Sequence, residues 1–229
     1  MAIKLVNIPG IGEVKLTKRS GTKRLKLRLS HKGEVVVSMP TWLPFKAGEK
    51  FAESHREWIE KHAVEPKLLL PNQTIGKTHT LLFSVTDSAK PSVRVNESIV
   101  TVKVPVGMTV KTNSVQEAAL RGVRKALKIQ EPILEKRLVE ISGTTGLKYR
   151  ASRYGFMKSR WGSCRSDKTI TLNYHLLYLT DELIDYVIIH ELSHTKHMNH
   201  SADFWSLVES FSPSYKQLRK EVKDNSLGW

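Results

Sequence analysis

The sequence reads as an α+β protein, with a β-rich front half over residues 1–110 and a helix-rich back half over 111–229. Three observations predict this. Apolar and charged residues alternate at several places before residue 110, the period of strands buried on one face. Beyond Asn113 the apolar positions recur every three or four residues, the period of a helix face. The 40% hydrophobic content of this 229-residue chain supplies an ordinary core, and no apolar run approaches the ~18 residues needed to cross a bilayer.

The opening MAIKLVNIPGIGEVK has no long apolar core behind a basic start, so no signal peptide is expected. KRLKLRLS places Leu25, Leu27 and Leu29 on one face and Lys26 and Arg28 on the other, a half-buried strand. His31-Lys32-Gly33 turns into GEVVVSMP, a second strand ending at Pro40. KAGEKFAESHREWIEKH then sets Phe51, His55, Trp58, Ile59 and His62 at helical spacing, which makes both histidines helix-face residues. SVRV and SIVTVKVP are strands around Asn96-Glu97, and a helix follows from Asn113-Ser114. Strand, turn, strand, proline, helix thus occurs twice, although the side chains match too loosely to establish a sequence repeat. Ser114-Val-Gln-Glu117 is a capping box, each end residue able to satisfy the other's free backbone N–H. The apolar stripe runs through Val115, Leu120, Val123 and Leu127, then Ile133, Leu134, Leu138 and Ile141. Pro132 divides or kinks it, because proline lacks the N–H and crowds the preceding turn, and Gly146 ends it.

A formal charge of +15 creates a field that attracts polyanions: nucleic acid, nucleotides or acidic proteins. Eight basic residues fall between Lys15 and Lys32 with no acid among them. Their alternation with leucine is also what a solvated sheet face shows, so charge alone names no partner. Cys164 is the only cysteine, which excludes an intramolecular disulfide and fits a reducing compartment. A cytoplasmic location without membrane attachment is therefore expected.

The chemistry lies in HELSHTKHMNH, residues 190–200. Thr180-Asp181-Glu182 starts a helix with a capping hydroxyl and two acids favoured by the helix dipole. LIDYVIIHELSH continues it without a breaker. Four residues apart, His190 and His194 project on one face about 6 Å apart along the axis, which suits two nitrogens on one zinc ion. Glu191 is turned about 100° from His190, beside the metal and not on it, where it can take a proton from metal-bound water. A structural zinc would usually be closed by cysteine or a further histidine, and no CxxC pair exists.

The third ligand is a choice among His197, His200 and a later carboxylate such as Glu209. An ion held by His190 and His194 must be approached from a third direction, so the chain has to turn back. Asn199 tolerates the left-handed backbone that ends helices, which redirects His200 to the metal. Glu209 falls in a helix capped by Ser201, off its apolar stripe of Phe204, Leu207, Val208 and Phe211. His200 is the expected ligand and Glu209 the alternative, with His197 facing solvent or lining the cleft.

SRWGSC at 159–164, ITLNYHLL at 170–177 and DYVIIHELSHTKHMNHSADFW at 185–205 resemble the YgjP-like metallopeptidase family in order, spacing and the ending NHSxxFW. The strand pair and Trp-containing helix of the front half resemble it too. More distantly, HELSH…H…F is similar to the SprT-like and WLM zinc peptidases, some of which cleave proteins crosslinked to DNA. The interval from His190 to His200 equals that of the metzincins, but His197 stands at their turn glycine and no Met-turn follows. The YgjP-like resemblance implies a zincin-like metallopeptidase domain over 111–229, its active-site helix packed on a small sheet. It implies His190, His194 and His200 as zinc ligands and Glu191 as catalytic base. It also implies that WGSC and the TLN strand wall the cleft. Trp161 and Asn173 are then substrate-edge residues, or else core packing and a turn cap.

Zinc in such a site lowers the pKa of a water to about 7; Glu191 takes its proton and returns it to the leaving amine. Tyr154, Arg160, Tyr174, His175 and His197 are candidates for the additional oxyanion donor. Cys164 has no base partner and is expected to be a small buried residue. A zinc peptidase acting on protein or peptide is the first functional reading. The alternative is a metal-dependent hydrolase of nucleotide or phosphate substrates, supported by Lys158, Arg160, Arg165 and Lys168 on the presumed cleft wall. A third is a nucleic-acid-associated zinc protein, although no helix-turn-helix, zinc-finger or RNA-binding signature accompanies the charge.

Overall fold

A computed structural model describes residues 2–29, 34–62 and 68–225, which divide into units over Met1–Lys67 and Leu68–Leu227. In the first unit, β1 (Ile3–Ile8), β2 (Gly12–Arg19), β3 (Lys26–Leu29) and β4 (Val35–Pro40) form a sheet of order β1-β2-β4-β3. β2 and β4 run parallel and the outer pairs antiparallel. Every residue of the inner strand β4 is buried, whereas the edge strand β1 is mostly exposed. α1 (Phe45–Ser54) and α2 (Arg56–His62) follow, and Leu16, Val37, Met39, Ala52 and Ile59 belong to one core. His55 caps the end of α1 and His62 ends α2, each Nδ1 donating to the carbonyl four residues earlier, at 2.9 and 2.8 Å. The expected strands around 31–33 are β3 and β4; the turn itself lies outside the described residues. The β1–β2 hairpin had no sequence expectation.

In the second unit, β5 (Thr74–Ile75), β6 (His79–Thr86), β7 (Ser92–Val95) and β8 (Ile99–Pro105) form a sheet of order β5-β6-β8-β7. β6 and β8 are parallel and the outer pairs antiparallel, the same topology as the first sheet. The recurrence seen in the sequence is therefore a recurrence of structure. α3 (Asn113–Ile129) packs on β7 and β8. Gly122 permits the approach, because a Cβ there would come within 2.5 Å of both Val93 and Val100. Grouping by contact thus joins this sheet to the helices behind it, whereas grouping by element type separates them at residue 110.

The expected capping box does not form. α3 starts at Asn113, so Ser114 falls inside the first turn and its hydroxyl lies 3.8 Å from Met108 Sδ. α4 (Glu131–Thr145) carries Pro132 in its first turn, where a missing N–H costs no helical bond, and ends at Gly146 in the left-handed region, φ 70°. Between the two helices, buried Gln130 accepts from the Lys77 and Thr78 amides at 2.6 and 3.1 Å. Its side-chain nitrogen donates to the Ile75 carbonyl at 2.9 Å, tying the sheet to the helices.

The remaining elements position the site. β9 (Ala151–Gly155), β10 (Gly162–Cys164) and β11 (Thr169–Asn173) form a sheet of order β10-β11-β9, with β11 parallel to β9 and antiparallel to β10. A 3₁₀ turn over Tyr174–Tyr178 leads to α5 (Asp181–Ser193), α6 (Ala202–Phe211) and α7 (Tyr215–Asp224). α5 packs on β10 and β11 and against α4, α6 and α7. A helix surrounded in this way must be apolar nearly all round, which is why Leu183, Ile184, Val187, Ile188 and Ile189 are all buried. The α+β class holds, with the active-site helix on a small sheet. No helix among the described residues is long and apolar enough to cross a membrane.

Candidate active site

α5 is fixed at its start. The Thr180 hydroxyl accepts from the Leu183 amide, and Lys77 Nζ bonds the Leu179 carbonyl and Asp181, both at 2.7 Å. Arg137 grips Asp185 with two nitrogens, Nη2 donating to Oδ2 at 2.6 Å. The far end closes at Ser193. The amides of Thr195, Lys196 and His197 fold back onto the carbonyls of Leu192 and Ser193 at 2.9 to 3.0 Å. The reversal therefore begins well before Asn199. Among the described non-glycine residues only Asn72 and Lys168 have positive φ, so the left-handed turn expected at Asn199 is not used.

This reversal brings His200 back to α5. Ligand atoms of His190, His194 and His200 lie within 4.8 Å of one another, with His190 Nε2 and His200 Nε2 3.1 Å apart. Two nitrogens held about 2.0–2.1 Å from one tetrahedral ion would be separated by roughly 3.4 Å, so the spacing suits a shared metal. His194 Nδ1 lies 3.0 Å from the His197 carbonyl. A carbonyl only accepts, so Nδ1 carries the proton and Nε2 keeps its lone pair, the tautomer a ligand needs. Phe204, fully buried, touches all three rings with centroids 4.5 to 5.0 Å away. Trp205 stacks on His200.

Burial, reinforced by His194, His200 and Arg219, pushes His190 down to about 3. Burial also lowers His194. Both rings are neutral near pH 7, the form that binds metal. His190 Nδ1 is buried without a hydrogen-bond partner among the described residues. Three imidazoles are a donor set that suits zinc.

Glu191 is 7% exposed and lies against Gly162 on β10. A Cβ at position 162 would meet Glu191 Cγ at 2.6 Å and Oε1 at 2.8 Å. Burial pushes the carboxyl up to about 7, opposed by Arg160 and by the Cys164 amide. A carboxyl poised there accepts and releases protons readily at neutral pH.

The other candidates separate. His197 supplies its carbonyl, and its ring stands outside the cluster; Glu209 is exposed on α6 and also outside it. Cys164 is only partly buried, and burial followed by Glu191 pushes its thiol up to about 11, so it is no nucleophile. Trp161 donates its indole N–H to the Val222 carbonyl at 3.2 Å. Asn173 is fully buried and donates to the Met157 and Arg160 carbonyls, both at 2.9 Å, while accepting from the His175 amide at 3.1 Å. Both residues thus hold the 156–161 loop.

A cleft of about 780 Å³ surrounds the histidines. Of the proposed oxyanion donors only Arg160 lines it; Tyr154, Tyr174, His175 and His197 do not. Of the expected basic wall, Lys158 and Arg160 line it and Arg165 and Lys168 do not. Tyr186, Arg219 and Lys223 line it without having been expected. Tyr186 was discoverable, since it precedes His190 by one helical turn. The α7 residues carried no local signal.

A family model described as YgjP-like, metallopeptidase domain, matches residues 23–225. The chain belongs to this family. It is a metal-dependent peptidase. Among solved structures, the metallopeptidase zymogen of Pyrococcus abyssi abylysin is 28% identical, covering 39% of this chain and 90% of that one with a TM-score of 0.36. The metallopeptidase zymogen of Methanocaldococcus jannaschii jannalysin is 21% identical, covering 40% and 94% with a TM-score of 0.36. No curated protein sequence matches significantly.

Proposed function

We propose that this peptidase is zinc-dependent, with His190, His194 and His200 holding the ion and Glu191 acting as general base. The observation that carries the reading is the convergence of three ring nitrogens within 4.8 Å beside a buried carboxylate. Bound zinc would polarise the scissile carbonyl and bring the pKa of a water to about 7. Glu191 accepts the proton of the attacking water at its carboxylate and delivers it to the departing amine. Gly162 allows that carboxylate to sit close to β10, and Phe204 holds the three rings against reorientation. A peptide substrate is supported by β10 itself, an edge strand whose residues line the cleft. An extended peptide can pair with the free backbone groups of such an edge, which a nucleotide cannot do. The lone cysteine supports action in a reducing compartment such as the cytoplasm.

Elemental analysis and peptide turnover on one preparation test the assignment. Glu191→Gln should keep one zinc per chain and lose turnover by at least a hundredfold, as expected for a lost general base. His200→Ala should lose zinc while His197→Ala retains it. Full activity in Glu191→Gln, or equal zinc in the two histidine variants, refutes the assigned roles.

A further inference from the structure

We propose that the cleft selects acidic peptides, with Arg160 and Arg219 reading carboxylate side chains that flank the scissile bond. This rests on the peptidase site described above and names its substrate class. Among the described residues, four cations line the cleft, Lys158 and Arg160 from the loop before β10 and Arg219 and Lys223 from α7, and Glu191 is the only acid in the lining. Arg219 and Lys223 are four residues apart and share a helix face. Among the described residues, none of these four cations has a carboxylate within ion-pair distance, unlike Lys77 and Arg137 at the start of α5. Cations left unpaired in a concave wall focus their field on what enters it.

Arg219 is held by its side chain and Arg160 at its backbone. The Arg219 guanidinium lies 4.6 Å over the Trp205 ring, which stacks on both Tyr215 and His200. Stacking on the face leaves the N–H edge of the guanidinium available for a carboxylate fork. On the other wall, the Arg160 carbonyl is anchored by Asn173. The Trp161 indole bonded to Val222 fastens that loop to α7. Arg160 comes from the loop before β10 and Arg219 from α7, and both line the cleft that holds His190 and Glu191. Nucleic acid is the less suitable occupant. It needs a basic track that follows many successive phosphates, whereas these four cations are confined to one cleft.

The test uses the full zinc-loaded chain carrying Glu191→Gln, with fluorescence anisotropy of three labelled peptides of one length, rich in Glu, Gln or Lys. The Glu peptide should bind about a hundredfold more tightly than the Gln peptide, roughly tenfold for each arginine, and kcat/KM of the unsubstituted enzyme should follow the same order. Arg160→Gln and Arg219→Gln should each shrink the Glu-over-Gln ratio about tenfold or more, the effect of losing a charged hydrogen bond. Arg219→Lys should retain only part of the ratio, because an ammonium keeps the charge but cannot fork a carboxylate. The double variant Arg165→Gln/Lys168→Gln removes as much charge outside the lining and should keep it. If that double variant and Arg160→Gln/Arg219→Gln lower the ratio equally, the overall charge is responsible and the proposal fails. It fails as well if Arg219→Gln slows turnover of all peptides alike with binding unchanged, which would mark a transition-state role. An oligonucleotide of matched charge that displaces the Glu peptide better than unlabelled Glu peptide also overturns it. Tight, Arg219-dependent binding of the Glu peptide without cleavage by the unsubstituted enzyme supports acidic recognition while sinking the hydrolytic mechanism.

Discussion

Glu191 owes its position to a residue with no side chain. Gly162 is buried on β10, and the space a Cβ would take is filled by the Glu191 methylene and carboxylate. The smallest addition at that point must push either the strand or the Glu191 carboxylate. Gly162→Ala should keep zinc, since the atoms nearest the added Cβ belong to Glu191 and not to a histidine of the cluster, and lower kcat about a hundredfold, because displacements near 1 Å cost that much. Metal content measured beside kcat checks this; unchanged kcat would show that the close approach is dispensable. Cys164, two residues on, is kept a thiol at neutral pH by burial and by Glu191. Its neighbourhood serves the carboxylate and not a thiolate.

At the scale of elements, the site depends on how a loop and a terminal helix are fastened. The last carbonyls of a helix lack partners within it, and Val222 near the end of α7 is satisfied by the Trp161 indole. Trp161→Phe keeps the ring and loses that bond. Amide exchange over residues 219–225 should quicken in this variant with the fold retained; unaltered exchange would mean that the indole is not the anchor. Asn173→Ala strips two loop carbonyls and one amide of their partner at a fully buried position. It should destabilise the protein by about 1–3 kcal/mol in denaturant unfolding, the cost of orphaned buried groups. A loss below that range would place the loop's support elsewhere.

At the scale of the whole molecule, the histidine cluster, Glu191, Gly162 and the elements that position them all belong to the unit Leu68–Leu227. The sheet of β5 to β8 is joined to the same helices through Gln130 and the Gly122 contact. Residues 68–229 expressed alone should therefore unfold cooperatively and bind one zinc. A protein starting at residue 111 would lack that sheet and expose the α3 face around Gly122, and it should not. Circular dichroism melts and zinc titration of both pieces decide; equal folding by the shorter piece would make the division at 110 the true one.

The sequence by itself determined what is periodic or local. Strands β3, β4, β7 and β8 were legible from alternation, the division of α3 from α4 from Pro132, and the start of α5 from Thr180 and its acids. His190 and Glu191 lie on α5 and His194 is its C-cap residue, still with helical backbone, so helix geometry places all three from spacing alone. His200 could be reasoned towards, but the backbone that returns it was misjudged, because the turn is built from bonds to Leu192 and Ser193 and not from a left-handed Asn199. The α3 cap was misplaced because a box motif does not say where the first helical residue falls. The rest required tertiary structure. Gly162 against Glu191, Asn173 on the 156–161 loop, and Arg219 over Trp205 join residues that are distant in sequence or on different elements. No periodicity encodes such contacts, since they exist only after the elements have packed. The basic wall shows the same limit: adjacency in sequence suggested Arg165 and Lys168, but the cleft takes Arg219 and Lys223 from the last helix.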